Sequence, residues 1–276
     1  MGGDEVIGSE LTSVRSARVQ AARRLTKRTF RARERRFLAE GPQAVREALA
    51  SPGVVLEMFA TRDAVQRHGD LVAAAGAAGV EVQLVSGEVM AAMCQTVTPQ
   101  GVVAVCGFVD VALDQIIAAG PRLVAVLADA RDPGNAGTVV RTADAAGAGA
   151  VVLAGASVDP YNGKCVRASA GSIFHLPLVM DVGVEATLQA LRSVGLRVLA
   201  ADGSGEDDLD QASEDGRLEG PTAWVFGNEA WGLPEATRSL ADDVLRVPIH
   251  GRAESLNLAT AAAVCLYASA RAQRRA

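Results

Sequence analysis

The chain has 276 residues, 49% of them hydrophobic and 21% charged, with a formal net charge of −5 at pH 7. This length suits two domains, and the composition excludes a globally disordered chain. Because no apolar run is long enough to span a bilayer, and no apolar stretch of a signal peptide follows the charged N-terminus, we expect a cytoplasmic protein with no membrane partner.

The N-terminal part of the chain holds a dense cluster of positive charge. Residues 1–14 show little pattern and are expected to form a flexible tail. Between Ser13 and Phe37 lie ten basic residues and one acid, which gives this segment a charge of +9 and leaves −14 for the remainder. Such a segment on an acidic protein favours nucleic acid as the partner, whereas the alternative is a solvated helix face. The residues predicted to contact RNA are Arg23, Arg24, Lys27, Arg28, Arg31 and Arg35.

A small α/β domain is predicted over residues 15–109, followed by a linker at 110–120 that has the pattern of a helix. A short apolar run after Arg36 is closed by the Gly-Pro turn at 41–42. Hydrophobic periodicity then predicts the remaining elements, which are helices at 43–50 and 64–78 and strands at 54–60, 80–85 and 101–106.

Residues 121–276 alternate between apolar strands and helices, which is the pattern of a parallel α/β sheet. The predicted strands are at 123–128, 150–153, 176–179, 197–201, 223–226 and 243–247. The predicted helices are at 138–146, 164–173, 184–194, 234–240 and 255–271. An acidic stretch at 206–219 interrupts the pattern and is expected to be a surface loop.

Three segments of this second domain place Gly, Asn and charged or hydroxyl residues directly after apolar runs: motif 1 at 132–141, motif 2 at 225–233 and motif 3 at 247–257. The carboxyl ends of strands are where open α/β sheets build their ligand sites, so the three motifs predict one composite site.

The ligand of this site is not expected to be NAD or ATP. The chain contains neither GxGxxG nor GxxxxGK[ST], and Gly147 and Gly149 follow a predicted helix, where Gly is better interpreted as a C-cap. Backbone groups beside apolar side chains suit an adenine ring and a sulfonium better than phosphates. Four cysteines stand far apart with no CxxC pair, so no metal and no disulfide framework is expected.

At these residues the sequence resembles the SpoU/TrmH family of S-adenosylmethionine-dependent RNA ribose 2′-O-methyltransferases, within the SPOUT superfamily. The matching residues are Asn135 and Arg141 in motif 1, Gly227-Asn228-Glu229 and Gly232-Leu233 in motif 2, and Pro248-Ile249 and Ser255-Leu256-Asn257 in motif 3. The stretches 168–177 and 37–42 also resemble the family. The resemblance implies a C-terminal SPOUT domain with a parallel sheet and a deep trefoil knot, a homodimer through that domain, and an N-terminal ribosomal-protein-like RNA-binding domain.

The same resemblance implies S-adenosylmethionine as the cofactor and assigns roles within the motifs. The catalytic set is Arg141, Asn135, Glu229, Ser255 and Asn257, and the cofactor-binding set is Gly227, Val247, Ile249 and Leu256. Arg141 either takes part in deprotonating the ribose hydroxyl or, since its pKa exceeds about 12, anchors a phosphate or stabilises the developing alkoxide. The alternative for Arg141 is an ordinary salt bridge on a helix surface.

The expected activity is methyl transfer to a ribose 2′-hydroxyl of RNA, with 23S ribosomal RNA favoured over tRNA because of the separate N-terminal domain. Two alternatives remain open. One is a non-catalytic RNA-binding or ribosome-assembly protein that retains the fold, and the other is a tRNA 2′-O-methyltransferase. The complete catalytic set argues against a protein without activity, because RNA binding alone does not require it.

Overall fold

The computed structural model of the protein describes residues 7–275, which divide into two compact units. The first unit holds the chain up to Val109 together with Tyr161–Phe174, and the second holds Asp110–Pro160 together with the chain from His175. Within residues 7–275, no helix combines the length and the apolar character needed to cross a bilayer.

The first unit contains one mixed five-stranded sheet in the order β1-β4-β3-β5-β2. Its strands are β1 (Ile7–Leu11), β2 (Arg36–Glu40), β3 (Val55–Ala60), β4 (Val82–Val85) and β5 (Val102–Gly107). Its helices are α1 (Ala17–Arg24), α2 (Arg28–Glu34), α3 (Pro42–Ala50), α4 (Arg62–Arg67), α5 (Gly69–Ala77), α6 (Gly87–Met93) and α9 (Gly163–Ser169).

The prediction of a flexible tail at 1–14 is corrected for residues 7–11, which form strand β1, while residues 1–6 lie outside the described part of the chain. Strand β1 runs parallel to β4, with Ile7 opposite Val82, so backbone pairing orders a segment whose side chains show little pattern. The single helix predicted at 64–78 is divided in the structure into two helices. Helix α4 ends and α5 begins at His68.

The arginines of the basic segment differ in their surroundings, and two of them serve the fold of the first unit. Arg31 is buried and donates hydrogen bonds to the carbonyls of Leu25 and Thr26, both at 2.9 Å, which satisfies groups exposed by the end of α1. Arg18 binds the carboxylates of Glu57 and Glu81. Arg31 is therefore removed from the set predicted to contact RNA, because its guanidinium already serves the fold.

The second unit is built on a seven-stranded parallel sheet in the order β10-β12-β9-β11-β6-β7-β8. Its strands are β6 (Leu123–Ala128), β7 (Ala150–Ala154), β8 (Leu178–Val182), β9 (Arg197–Ala201), β10 (Asp207–Asp208), β11 (Thr222–Phe226) and β12 (Asp243–Arg246). Its helices are α7 (Leu113–Ala119), α8 (Pro133–Ala146), α10 (Val184–Ser193), α11 (Leu209–Glu214), α12 (Glu235–Arg238) and α13 (Leu258–Gln273).

The packing of this unit places the carboxyl ends of β12, β9, β11 and β6 side by side. Helix α13 lies along α8, and its Ser269 accepts a hydrogen bond of 2.9 Å from the buried indole of Trp224 on β11. The predicted parallel α/β sheet is confirmed, and four consecutive strands of the sheet deliver their following loops to one edge.

The acidic stretch at 206–219 is not the surface loop that was predicted. It contains β10 and α11, and Leu209, Ala212 and Leu218 are buried. Arg217 lies 2.6 Å from a carboxylate oxygen of Asp207 and also pairs with Asp215 and with Asp243 on β12, so ion pairs hold this stretch together and join it to the sheet.

Residues 161–174 pack with the first unit, which differs from the predicted continuous domain at 121–276. Tyr161 and Phe174 place their ring centroids 4.7 and 5.9 Å from that of Phe37 on β2. Arg167 on α9 pairs with Glu40 at 3.2 Å. Aromatic contact and a partly buried ion pair thus hold a segment that sequence order assigns to the second domain.

Candidate active site

Motif 1 forms the first turns of α8, which begins at Pro133 and not at Thr138. Asp132 caps the helix by accepting a 2.8 Å hydrogen bond from the backbone N–H of Asn135, and Pro133 occupies the first helical position. Because Asp132 provides the cap, the side chain of Asn135 is available for other contacts.

Motif 2 folds back on itself after β11. Asn228 and Gly232 exchange backbone hydrogen bonds of 2.9 Å in both directions. The Asn228 amide also donates to the carbonyl of Asp129 at 2.8 Å, directly after β6. This turn is therefore fixed to the strand end that leads into motif 1.

Glu229, Asn135 and Asn257 form a polar chain that joins all three motifs. Glu229 accepts hydrogen bonds of 3.1 Å from the backbone N–H groups of Arg131 and Asp132, and of 3.2 Å from the Asn135 amide. Asn135 Oδ1 in turn accepts from Asn257 Nδ2 at 3.0 Å. The predicted convergence of the three motifs is confirmed. Glu229 contacts Asn135 and the backbone before α8.

Burial raises the pKa of the Glu229 carboxyl, but the hydrogen bonds from Arg131, Asn135 and Asp132 outweigh that effect and leave its pKa below the ordinary value. The group is thus a carboxylate at neutral pH. The three hydrogen bonds that Glu229 accepts use the lone pairs of this carboxylate.

Motif 3 supplies the N-terminus of α13, which begins at Leu258 and not at Ser255 as predicted. Asn257 Oδ1 accepts from the backbone N–H groups of Ala259 at 2.9 Å and Thr260 at 3.4 Å, so Asn257 is the cap. Ser255 remains exposed before the helix and lies at the cavity. Asn257 thus caps α13 with its oxygen and contacts Asn135 with its nitrogen.

A cavity of about 610 Å³ lies where the motifs meet, within the size range of small-molecule sites. Every residue predicted to bind the cofactor lines it, and so do four of the five predicted catalytic residues. The predicted residues that line it are Asn135, Gly227, Glu229, Val247, Ile249, Ser255, Leu256 and Asn257.

One wall of this cavity was not predicted from the sequence, and it is formed by Ala201 at the end of β9 and by Asp202 and Gly203 directly after it. Asp202 accepts hydrogen bonds from the Leu233 backbone at 3.2 Å and from the Ser204 hydroxyl at 2.6 Å, so it holds motif 2 from the opposite side. Burial raises the pKa of Asp202, but these hydrogen bonds outweigh it and lower the pKa overall. An Ala-Asp-Gly sequence directly after an apolar strand was the available signal.

The lining fits a cofactor that combines an aromatic base with a positive charge. Val247, Ile249 and Leu256 offer apolar surface, and Asp202 and Glu229 are acids. The one cation of the lining, Arg246, donates to the backbone carbonyls of Gly205 and Glu206, so its charge is directed to the protein. An adenine and a sulfonium match these walls, whereas a triphosphate would be repelled by them.

Arg141 is the predicted catalytic residue that does not line the cavity. It is exposed on α8, two turns beyond Asn135, and no carboxylate of residues 7–275 forms an ion pair with it. The alternative of a structural salt bridge is therefore not supported within this part of the chain.

Replacing Glu229 with glutamine is expected to weaken S-adenosylhomocysteine binding about tenfold. The glutamine oxygen can still accept from Asp132 and Asn135, but its NH₂ group then faces the N–H of Arg131, donor against donor. Isothermal titration calorimetry measures the change. The exposed Glu235→Gln is the matched control and should bind as the wild type does.

The lowered pKa of Glu229 also fixes the sign of a pH effect. A carboxyl whose pKa is depressed in the folded protein stabilises the fold above its unfolded pKa and loses that contribution as the pH falls through the folded pKa. The free energy of unfolding, measured by chemical denaturation, should therefore fall more steeply in acid for the wild type than for Glu229→Gln. An equally steep fall in Glu229→Gln would contradict this assignment.

Comparison with known families gives two matches, one within each of the two domains predicted from the sequence. Residues 122–267 match the SpoU rRNA Methylase family, and residues 16–104 match the MRM3-like substrate binding domain.

Individual proteins resemble the chain over nearly its whole length. The 23S rRNA (guanosine(2553)-2′-O)-methyltransferase RlmP of Bacillus subtilis is 34% identical over 94% of this chain and 98% of its own. The AdoMet-bound rRNA methyltransferase from Sinorhizobium meliloti has a TM-score of 0.82 at 31% identity, covering 96% of this chain and 98% of that one. The SpoU methyltransferase AviRb from Streptomyces viridochromogenes, in complex with AdoMet, has a TM-score of 0.80 at 31% identity, covering 95% and 100%.

Proposed function

The chain belongs to the SpoU rRNA Methylase family, and we propose that it transfers the methyl group of S-adenosylmethionine to a ribose 2′-hydroxyl of 23S ribosomal RNA. One observation carries the proposal. The Glu229–Asn135–Asn257 chain joins three motifs around a cavity whose apolar and acidic walls fit that cofactor. The names of the full-length relatives supply the RNA and the position of the methyl group.

The cofactor, when bound, supplies an electrophilic methyl group on sulfur. Gly227, Val247, Ile249 and Leu256 are proposed to hold it, through backbone groups and apolar side chains at the ends of β11 and β12. Burying the apolar walls against the base excludes water from the site. The polar chain keeps the three loops in one arrangement, so binding does not have to order them.

The ribose hydroxyl must lose its proton as its oxygen accepts the methyl group, and the residues around the cavity are proposed to serve that step. Asn135, Ser255 and Asn257 offer hydrogen-bonding groups at the cavity edge, and Glu229 orients Asn135. Arg141 is proposed to stabilise the developing alkoxide or to anchor the neighbouring phosphate, which needs no deprotonated guanidinium. A guanidinium that no carboxylate of the described chain neutralises is suited to either task.

We propose that the protein works as a homodimer through α8 and α13. Arg141 lies on the exposed side of α8, and Val264 and Tyr267 on α13 are 40% and 50% exposed. The two helices lie side by side, so their exposed sides form one surface. We expect Tyr267→Asp to shift the protein from dimer to monomer in sedimentation velocity runs. A wild-type monomer at micromolar concentration would contradict the proposal.

Three further features are proposed from family membership. The strand-end loops around the cavity, together with α13 packed back against α8, are proposed to form the deep trefoil knot of the SPOUT fold. A ribosomal RNA substrate also favours the cytoplasm as the place of action. The first unit is proposed as the RNA-binding domain, with Arg23, Arg24, Lys27, Arg28 and Arg35 as its contacts.

The test is incubation of the purified protein with labelled S-adenosylmethionine and either 23S rRNA or tRNA, followed by nucleoside mass analysis. We expect label in 23S rRNA as a 2′-O-methylnucleoside. Label in tRNA alone would transfer the proposal to that substrate, and label on a base would overturn the 2′-O assignment. RNA binding without label would indicate a non-catalytic protein.

A further inference from the structure

The loop between α6 and β5, residues 94–100, presents an apolar side chain that no part of the core uses. Val97 at its tip is fully exposed, at 102% of its reference surface. Its neighbours are polar, since Gln95, Thr98 and Gln100 offer amide and hydroxyl groups. A single exposed apolar residue is common on protein surfaces, so the case for a contact surface here depends on how the loop is held and on the charges around it.

Both ends of this loop are fixed to buried parts of the first unit. The backbone N–H of Gln95 donates to Glu40 Oε1 at 3.0 Å, and the side chain of Glu40 is almost completely buried. At the other end, Gln100 packs so closely on Gly41 that a Cβ there would lie 2.7 Å from the amide oxygen. The position of Val97 therefore follows from the fold of the unit.

Gln95 also joins the loop to two neighbouring segments. Its side chain fills the space beside Gly163 at the start of α9, and its Nε2 lies 3.5 Å from the carbonyl of Thr26 between α1 and α2. Lys27, Arg28 and Lys164 in these two segments are exposed. We name residues 26–28, 94–100 and 163–164 the Val97 corner.

The charge of the Val97 corner is positive. The acid that anchors it, Glu40, is paired with Arg167 at 3.2 Å. No carboxylate of residues 7–275 forms an ion pair with Lys27 or Arg28, so both cations are available to a polyanion. An apolar tip beside free cations complements a nucleic acid whose bases are unstacked, because the base offers an apolar face and the backbone offers phosphates.

We propose that the Val97 corner binds an unpaired segment of the substrate RNA, with Val97 against a base face and Lys27 and Arg28 on phosphates. The proposal rests on the proposed function for its RNA, but it assigns a new contact surface. The corner includes residues 163–164, which belong to the part of the chain that matches the SpoU family. The proposal gives these residues a role in RNA binding together with the part that matches the MRM3-like substrate binding domain. A duplex is less suited, since a single valine cannot read its stacked bases.

The experiment compares Val97→Asp and the milder Val97→Ser with the matched control Leu56→Asp in the full chain. Leu56 is also an exposed apolar residue of the first unit, and it lies near the start of β3. The last residue of β3 pairs with the first residue of β5. For each protein we would measure KM and kcat with 23S rRNA, RNA affinity by filter binding, and S-adenosylhomocysteine affinity. Thermal unfolding verifies that each variant is folded.

Val97→Asp is expected to raise KM and the RNA dissociation constant about tenfold, and Val97→Ser about threefold. Both should leave kcat and S-adenosylhomocysteine affinity unchanged, and Leu56→Asp should match the wild type. The double variant Lys27→Gln/Arg28→Gln should weaken RNA binding and reduce the slope of log K against log salt by about 1.4, because each phosphate contact to a single strand contributes about 0.7.

Unchanged RNA affinity in both Val97 variants would overturn the proposal. A change in sedimentation in place of RNA affinity would likewise overturn it and assign the corner to protein contact. Failure of the proposed function can be distinguished from failure of the Val97 corner. In the first case the wild-type protein would transfer no methyl group, while filter binding would still test whether the corner binds RNA.

Discussion

Arg141→Ala is expected to lower kcat at least a hundredfold and to leave S-adenosylhomocysteine affinity within about twofold of the wild type. Arg141 does not line the cavity and is not bonded to Glu229, Asn135 or Asn257, so its removal should not disturb the cofactor walls. Its exposure also implies little loss of stability. The expected defect therefore lies in the chemical step or in placing the ribose.

Arg141→Lys separates the two chemical roles of this residue. Lysine keeps the positive charge but lacks the planar fork that binds a phosphate through two parallel hydrogen bonds. Substantial activity in Arg141→Lys would favour stabilisation of the alkoxide by charge, whereas a loss as large as in Arg141→Ala would favour bidentate anchoring. Single-turnover assays with saturating RNA and nucleoside mass analysis give the rates.

The matched control is Arg46→Ala, which removes another guanidinium from an exposed helix surface. Arg46 pairs with Asp70 in the first unit, and its loss should leave kcat unchanged. Wild-type activity in Arg141→Ala would refute the catalytic assignment. Loss of S-adenosylhomocysteine affinity would instead show that Arg141 supports the cofactor site.

The central strands β6, β7 and β11 of the second unit were predictable because they are buried on both faces. Leu123–Ala128 is a continuous apolar run with the predicted bounds, and Arg197–Ala201 agrees as well. The convergence of the motifs followed from the same property, since parallel strands deliver their following loops to one edge. Periodicity and this rule were enough to locate the site.

The start of α8 could not be found from periodicity because its first turn consists of residues that usually form turns and loops. Pro133, Gly134 and Asn135 favour a loop when they are interpreted locally. The structure shows a helix because Asp132 caps it and Pro133 suits the first position. Motif 1 is therefore held rigidly on a helix.

Contacts between distant segments were the other kind of feature that the sequence did not show. The buried Arg31 could not be distinguished by pattern from the exposed arginines beside it, because the backbone carbonyls that accept its hydrogen bonds carry no sequence signal. The packing of α9 against β2 likewise depends on Arg167 meeting Glu40, 127 residues apart in the chain. Such pairings are set by tertiary packing, which local propensity does not encode.

Gly227→Ala is expected to weaken S-adenosylhomocysteine binding about a hundredfold and to lower the free energy of unfolding by about 1–3 kcal/mol. A Cβ on Gly227 would lie 2.4 Å from the carbonyl carbon of Gly232, 2.5 Å from its oxygen and 2.6 Å from the nitrogen of Leu233. All three are backbone atoms, so no side-chain rotation relieves the contact. The turn of motif 2 must open.

Opening this turn breaks the backbone bridge between Asn228 and Gly232, and it also moves apart the residues that line the cofactor cavity. Glu229 lies within the turn, so it would move away from Arg131, Asp132 and Asn135, and the three motifs would no longer be joined. Gly183→Ala is the matched control, because a Cβ there meets nothing within 4 Å, and it should bind and unfold like the wild type. Calorimetric titration and chemical denaturation measure both quantities. Wild-type cofactor affinity in Gly227→Ala would mean that the bridge between Asn228 and Gly232 does not shape the site.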